Sequence, residues 1–234
     1  MAITRLRSPT PRKQSLYTPD VSWRTARAQP LTVPVHSHTV DVFRALDGRR
    51  TRRRFRLVAE RQLSAFLWYS ARSRYSYLDE TGRRFESRPA PSAGGCHPHD
   101  LLVLRPRRGS LAASMYDPRA HALAELECHK RDLRRFVKHI SEAVSPEHGT
   151  VVWFIAQPQR TGNHYRFPES LLWRDAGVLI GVMAVVAESL NLAFCPVGAT
   201  GDPYVAALMA TGDNVHGFGG AILGGPFTSS SPPV

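Results

Sequence analysis

Five arginines and one hydroxyl fall within seven residues at Arg49-Arg50-Thr51-Arg52-Arg53-Arg54-Phe55. Guanidinium groups match phosphate oxygens in pairs, and a threonine hydroxyl adds a hydrogen bond, so the run can hold a phosphate. A solvated basic run or a nucleic-acid patch would have the same composition. Phe55 and Leu57 return the chain to apolar structure at once, which favours a phosphate site over a polar tail. A second stretch able to do chemistry is Arg88–Pro98. Pro89 and Pro91 fix φ on the approach, and Gly94-Gly95 open conformations closed to residues with a Cβ. The Ser92 hydroxyl and nearby backbone N–H groups are then free to face a flat or anionic ligand. A plain proline–glycine turn would look the same. Cys96, His97 and His99 crowd this stretch, but their spacing matches no zinc pattern and no metal is expected. Cys195 beside Pro196 reads as a small buried residue, with a reactive thiol as the alternative.

The elements that must position these residues follow from periodicity. Val40, Phe43 and Leu46 stand at helical spacing ahead of an Asp47-Gly48 stop, and Leu63, Phe66, Leu67 and Ala71 mark a second helix. Tyr75–Arg84 reads as a loop or short hairpin into the proline–glycine turn. Leu101–Leu104 is an apolar strand, followed by a basic turn at Arg105–Gly109. Ser114–Pro118 resembles a strand end, and His121–Leu126 a short amphipathic return. Leu133, Phe136, Val137, Ile140 and Val144 form a helical stripe, and Thr150–Ala156 is a β-branched and aromatic strand. The longest helix runs from Glu169 to about Leu192. After Asp175 nearly every position is small or apolar, so protein must enclose it on all sides, and a subunit interface is a natural way to do so. A strand at Ala193–Val197, the turn Gly198–Pro203, a short helix to Met209 and a strand near Gly220–Leu223 complete the pattern.

The 234 residues suffice for a sizeable core, and 42% apolar content is ordinary for a globular chain. The formal charge of +12 is carried by arginine, since Lys13, Lys130 and Lys138 are the only lysines. No lysine block, stacking motif or Cys/His finger accompanies it, so no nucleic-acid partner is expected. Three widely spaced cysteines form no disulfide framework. The run Val178–Ala187 is too short to span a bilayer, and the amino terminus lacks a signal-peptide core, so the expectation is a cytoplasmic protein without a membrane partner. Residues 1–38 read as an Arg/Pro-rich arm, mobile through about residue 35, 39–225 as the folded domain and 226–234 as a Ser/Pro tail.

Taken in order, these stretches resemble one family. Arg-Arg-Thr-x-Arg-x-Phe (49–55) precedes Leu-Ser-x-x-Leu-Trp (63–68), Arg-x-x-Pro-Ser-Ala-Gly-Gly-x-x-Pro (88–98) and Tyr-Asp-Pro (116–118). Tyr-Arg-Phe (165–167), Asp175-Ala-Gly177 and Cys195-Pro-Val-Gly198 follow. Over about residues 39–225 the sequence resembles the FMN-dependent nitroreductase superfamily, within it the SagB-type, azoline-dehydrogenase-like branch. The resemblance implies an α+β fold, with a central, mainly antiparallel sheet flanked by helices, and a homodimer with the long helix at its interface. It matches Arg49, Arg50, Thr51 and Arg53 to positions holding the FMN phosphate and ribityl chain. Ser92, Ala93, Gly94 and Gly95 match the loop along the isoalloxazine edge, and Gly198 and Ala199 the turn whose amides approach the reactive ring atoms.

The implied reaction is FMN-dependent oxidation of a heterocycle or other natural-product intermediate, azoline to azole in type, on a small molecule or modified peptide. The alternatives are an NAD(P)H-dependent reductase of nitro compounds, quinones or flavins, and a non-catalytic flavin- or partner-binding subunit. His164 and Tyr165 are the residues placed by the resemblance to move the accompanying proton, with a structural role for Tyr165 and Arg166 in orienting the long helix as the alternative. Two departures stand out. Phe218–Val234 holds no Lys or Arg that could serve as a second phosphate contact, and Gln159–Tyr165 lacks the Lys-Tyr pair common in peptide-modifying azoline dehydrogenases.

Overall fold

The computed structural model describes residues 6–35, 40–78, 80, 84–107, 110–211 and 215–226. The expected Ser/Pro tail beyond Pro226 and the centre of the basic turn, 108–109, lie outside the described residues. In chain order the elements are β1 (Thr10–Pro11), β2 (Thr25–Pro30), α1 (Val42–Gly48), α2 (Glu60–Ala71), β3 (Tyr75–Leu78), β4 (Arg84–Ser87) and β5 (His99–Arg107). Then come β6 (Ser110–Asp117), β7 (Ala122–Leu126), α3 (Lys130–Ala143), β8 (Thr150–Ala156), α4 (Pro158–Gly162) and β9 (Tyr165–Arg166). The last are α5 (Glu169–Ser189), β10 (Leu192–Val197), α6 (Tyr204–Met209) and β11 (His216–Pro226).

Seven strands form the central sheet in the order β10-β11-β8-β5-β6-β7-β2. Every pairing in it is antiparallel, so the α+β architecture is the expected one. The inner strands read as unbroken apolar runs because both faces are covered. On β5, Leu101 and Val103 join the cluster under α2 and α5, with Phe66, Leu67, Met183 and Ala187. Leu102 and Leu104 face the other way, into the cluster under α3 and α6 with Trp153, Phe136, Ile140 and Leu208. There the Phe136 and Trp153 rings meet edge-on, centroids 5.4 Å apart, a contact worth about 1 kcal/mol beyond its buried area.

Two expectations change. Residues 6–35 are not a mobile arm: β2 is the edge strand beside β7, and β1 pairs with β9. Their polar composition hid this, because pairing uses backbone groups that composition does not report. Ala122–Leu126 is likewise a strand, paired to β6 and β2.

Helix α5 is long enough to cross a membrane, with mean hydropathy 1.6 over its apolar window, so the apolar stretch is longer than the run Val178–Ala187 suggested. Here it packs on α2, β10 and β11, with Leu172, Met183 and Ala187 buried. Its outer stripe, Trp173, Gly177, Val178 and Gly181, is exposed. Beside it α1 has Ala45 buried while Phe43 is 72% exposed.

Candidate functional site

The arginine run leaves α1 and follows the open edge of β10. Asp41 caps α1 by accepting from the Phe43 amide at 2.9 Å. Beyond the helix, the Arg52 amide donates to the Phe194 carbonyl at 3.0 Å, and the Arg56 carbonyl accepts from Gly225 at 2.7 Å. These bonds fix the path and give neighbouring side chains different surroundings. Arg52 turns to α5 and grips both oxygens of Glu188, at 2.5 and 3.2 Å. Arg49, Arg50, Arg53 and Arg54 stay exposed, with Thr51 half-buried. Among the described residues Arg49 and Arg53 make no side-chain hydrogen bond or ion pair. Arg53 lies near Cys195; burial pushes that thiol up and the guanidinium opposes it. Exposed like charges this close repel, and an anion would relieve them.

Farther along the same edge, β10 ends at the turn matched to the reactive ring atoms. Trp153 Nε1 and the Gly219 amide both donate to the Thr200 carbonyl, each at 3.0 Å. The indole comes so close that a Cβ on Gly201, whose φ is +99°, would lie 2.5 Å from it. Only glycine fits there, and the turn is rigid. Gly198 differs: nothing lies within 4 Å of where its Cβ would be. At 3.3 Å per residue, Phe194 and Gly198 are about 13 Å apart. Arg52 thus joins β10 at Phe194, and the Gly198 turn lies at the far end of the same strand.

The Ser92–Gly95 loop is built differently. Ser92 Oγ donates to Asp175 Oδ2 at 2.5 Å and accepts from the His97 amide at 2.9 Å. The Ala93 amide donates to both Asp175 oxygens at 3.2 Å. Gly94 and Gly95 have φ of 57° and 63°, the left-handed region glycine enters freely. The serine hydroxyl expected to face a ligand is thus committed to the loop's own frame. Burial raises the Asp175 carboxyl above its usual range, against the bonds from Ser92 and Ala93.

Below the loop sits a buried ion pair that sequence reading missed. Arg160 donates to Asp100 at 2.7 and 3.1 Å, and Gln157 and Trp23 add bonds at 2.7 and 3.0 Å. Burial alone would raise the Asp100 carboxyl; Arg160 overcomes it and holds the group below the usual carboxylate range. Arg160 also donates to the His97 carbonyl at 3.2 Å and pairs with Asp20 at 2.8 Å, tying loop and amino-terminal segment together. No local signal could reveal this, because the partners are scattered from Asp20 to Arg160. His97 and His99 flank the loop, both lowered to about 4, chiefly by burial.

His164 and Tyr165 lie between α4 and α5. His164 Nδ1 is 2.9 Å from Ser15 Oγ, and Tyr165 pairs with Pro11 across β1 and β9. The loop and the arginine run meet opposite ends of α5, at Asp175 and Glu188. At 1.5 Å per residue these are about 20 Å apart, so one chain does not bring the two stretches together.

The sequence matches the model of the Nitroreductase family over residues 46–216. Among solved structures, a candidate nitroreductase of Ralstonia eutropha JMP134 is 18% identical, with TM-score 0.63 over 95% of this chain and 100% of that one. A second, from Anabaena variabilis ATCC 29413, is 20% identical with TM-score 0.60; 91% of this chain covers only 40% of that longer one. The Escherichia coli microcin synthetase McbBCD, solved with truncated pro-MccB17 bound, is 16% identical with TM-score 0.52 over 84% of this chain and 77% of that one. Comparison with curated proteins gives no match. The family match spans most of the folded domain and the likenesses share its fold: the chain belongs to the nitroreductase family, whose members are flavin oxidoreductases.

Proposed function

We propose that the protein is an FMN-dependent oxidoreductase that acts as a homodimer and oxidises a heterocycle or related natural-product intermediate. The observation that carries the cofactor reading is the arginine run joined to β10, where Arg49 and Arg53 are exposed without a side-chain hydrogen bond or ion pair among the described residues, on the strand that ends at the open Gly198 turn. Arg49, Arg50, Thr51 and Arg53 would hold the phosphate and ribityl chain, and the backbone of Gly198 and Ala199 would meet the ring. Bound there, the flavin supplies two-electron chemistry as hydride acceptor or donor. Arg52 and Glu188 keep the arginine run in place without touching the ligand.

The dimer reading rests on α5 and α1. Gly177 and Gly181 are one turn apart on the exposed stripe, with nothing within 4 Å of either Cβ position, so a second helix can approach closely. An antiparallel crossing there sets the Asp175 end of one α5 beside the Glu188 end of the other. Each Ser92–Gly95 loop then joins its partner's arginine run, across the gap that one chain leaves open. For the proton transfer we assign His164 or Tyr165, both half-buried just before the first turn of α5. The azoline-type substrate is supported by the Pro-Ser-Ala-Gly-Gly stretch and its order among the other motifs.

Absorbance of the purified protein, with mass identification of any released cofactor, tests the core of this reading. Bound FMN is expected; a protein that stays colourless after incubation with FMN overturns it. Turnover of a thiazoline or oxazoline model compound without NAD(P)H supports the dehydrogenase. Consumption of NAD(P)H with a quinone or nitro acceptor, and no azoline turnover, would make the protein a reductase.

A further inference from the structure

On the face of the sheet opposite α2 and α5, helix α3 carries charges that neither the core nor the flavin reading uses. It buries Phe136, Ile140 and Asp132. Its outer side holds Lys130, Arg131, Arg134, Arg135 and Lys138, all exposed. Lys130, Arg134 and Lys138 recur every four residues and so stand in one row about 12 Å long. Arg131 bonds Asp132 at 3.1 Å, and Arg135 reaches the same oxygen at 3.9 Å. The three residues of the row make no hydrogen bond or ion pair among the described residues. Like charges one turn apart repel, and cations in a first turn oppose the helix dipole. The helix holds this row against its own electrostatics, and an anionic partner would relieve both costs.

Beside the row a groove of about 470 Å³ runs between α3 and α6, with Lys138 and Arg135 on one bank and Tyr204 and Ala207 on the other. The Tyr204 ring stacks on His139, centroids 4.7 Å apart. Both carboxylates of the groove are engaged, Asp132 with the arginines and Glu142 with His139 at 3.6 Å. Cations along one bank and an aromatic ring on the other fit an acidic chain that carries an aromatic side chain. Other anionic partners fit less well. No large apolar side chain of α3 is exposed, so nothing there can enter a membrane. The helix has no Asn or Gln to read bases. Exposed Glu125 and Glu127 before it, with Glu142 and Glu147 at its end and beyond, bound the positive row. Its length suits about four extended residues rather than a long phosphate backbone.

We propose that the α3 row and the α3–α6 groove are a docking site for an acidic segment of a partner protein, separate from the candidate flavin site. Fluorescence polarisation of the full chain tests it, with a labelled peptide of three glutamates on each side of one phenylalanine. Binding is expected, weakening as salt is added. Arg134→Glu with Lys138→Glu should weaken it about tenfold or more. Arg44→Glu with Arg61→Glu makes the same charge change at exposed positions on α1 and α2, beside α5, and should leave affinity within about twofold. Should the first reversal not fold, Arg134→Ala with Lys138→Ala should still cost about threefold. Replacing the peptide's phenylalanine with alanine should weaken binding severalfold. No binding, equal loss in the two reversal variants, or indifference to the phenylalanine overturns the proposal. Tighter binding to duplex DNA or phosphatidylserine vesicles, lost in the α3 variant, also overturns it and gives the row to that partner.

Discussion

The two stretches that bracket α5 solve opposite problems. At the Asp175 end, Ser92–Gly95 is closed on itself, its hydroxyl and an amide held by a buried carboxylate, with a buried ion pair beneath. At the Glu188 end the arginine run is fastened at one side chain, Arg52, and left exposed at four others. The first region is prebuilt and its groups stabilise the fold; the second carries exposed positive charge with few partners in the chain. Mutations in the two should therefore report on different quantities.

The largest effect belongs to the closed region. Arg160→Ala leaves the Asp100 charge buried without its partner, which costs about 3–5 kcal/mol and should show in urea unfolding. A loss under 1 kcal/mol would mean that the pair is solvated and the contrast false. The histidines come next. Between about 4 and 6.5 the unfolded chain binds more protons at His97 and His99 than the folded one. Stability should fall as pH drops through that window, by on the order of 2 kcal/mol for each ring; the raised Asp175 works in the opposite sense just above 3.8. Urea midpoints flat from 4 to 6.5 would contradict the burial of both rings.

Asp175→Ala strips the loop of its acceptor and strands the Ser92 hydroxyl and Ala93 amide, a loss of about 1–3 kcal/mol. The conservative Asp175→Asn should recover part of it. The open region should behave otherwise. Removing Arg49 and Arg53 together (both to Ala) should weaken FMN binding by about 100-fold or more, since charge-assisted contacts are each worth roughly 1.5 kcal/mol or more. The apoprotein should keep its Tm and its oligomeric state. Retention of full flavin occupancy in that variant would remove the phosphate assignment.

The sheet was legible where both faces are buried, because β5 and β8 then read as unbroken apolar runs. The stripe on α3 was legible for the matching reason, one face in and one out. The arginine run announced itself by charge, but its division of labour did not. Arg52 differs from Arg53 only through Glu188, 136 residues later in the chain. Asp175 was visible as part of a motif at the head of α5, yet its clamp on Ser92 depends on a loop that approaches from β4. The amino-terminal strands were lost for a third reason: β2 is an exposed edge, so its side chains carry no alternating pattern to read.

That edge also bears on where the folding unit begins. A chain started at Thr39, where the helical pattern first becomes visible, would leave β7 with a bare row of amides and carbonyls. It would also remove Asp20 and Trp23 from the Asp100–Arg160 pair. Strands exposed in this way recruit other strands, so such a fragment should precipitate or exchange strands with its neighbours. Thr25–Pro30 thus covers β7 and leaves as the outer edge a strand that carries Arg27 and ends in a proline, both of which discourage further pairing.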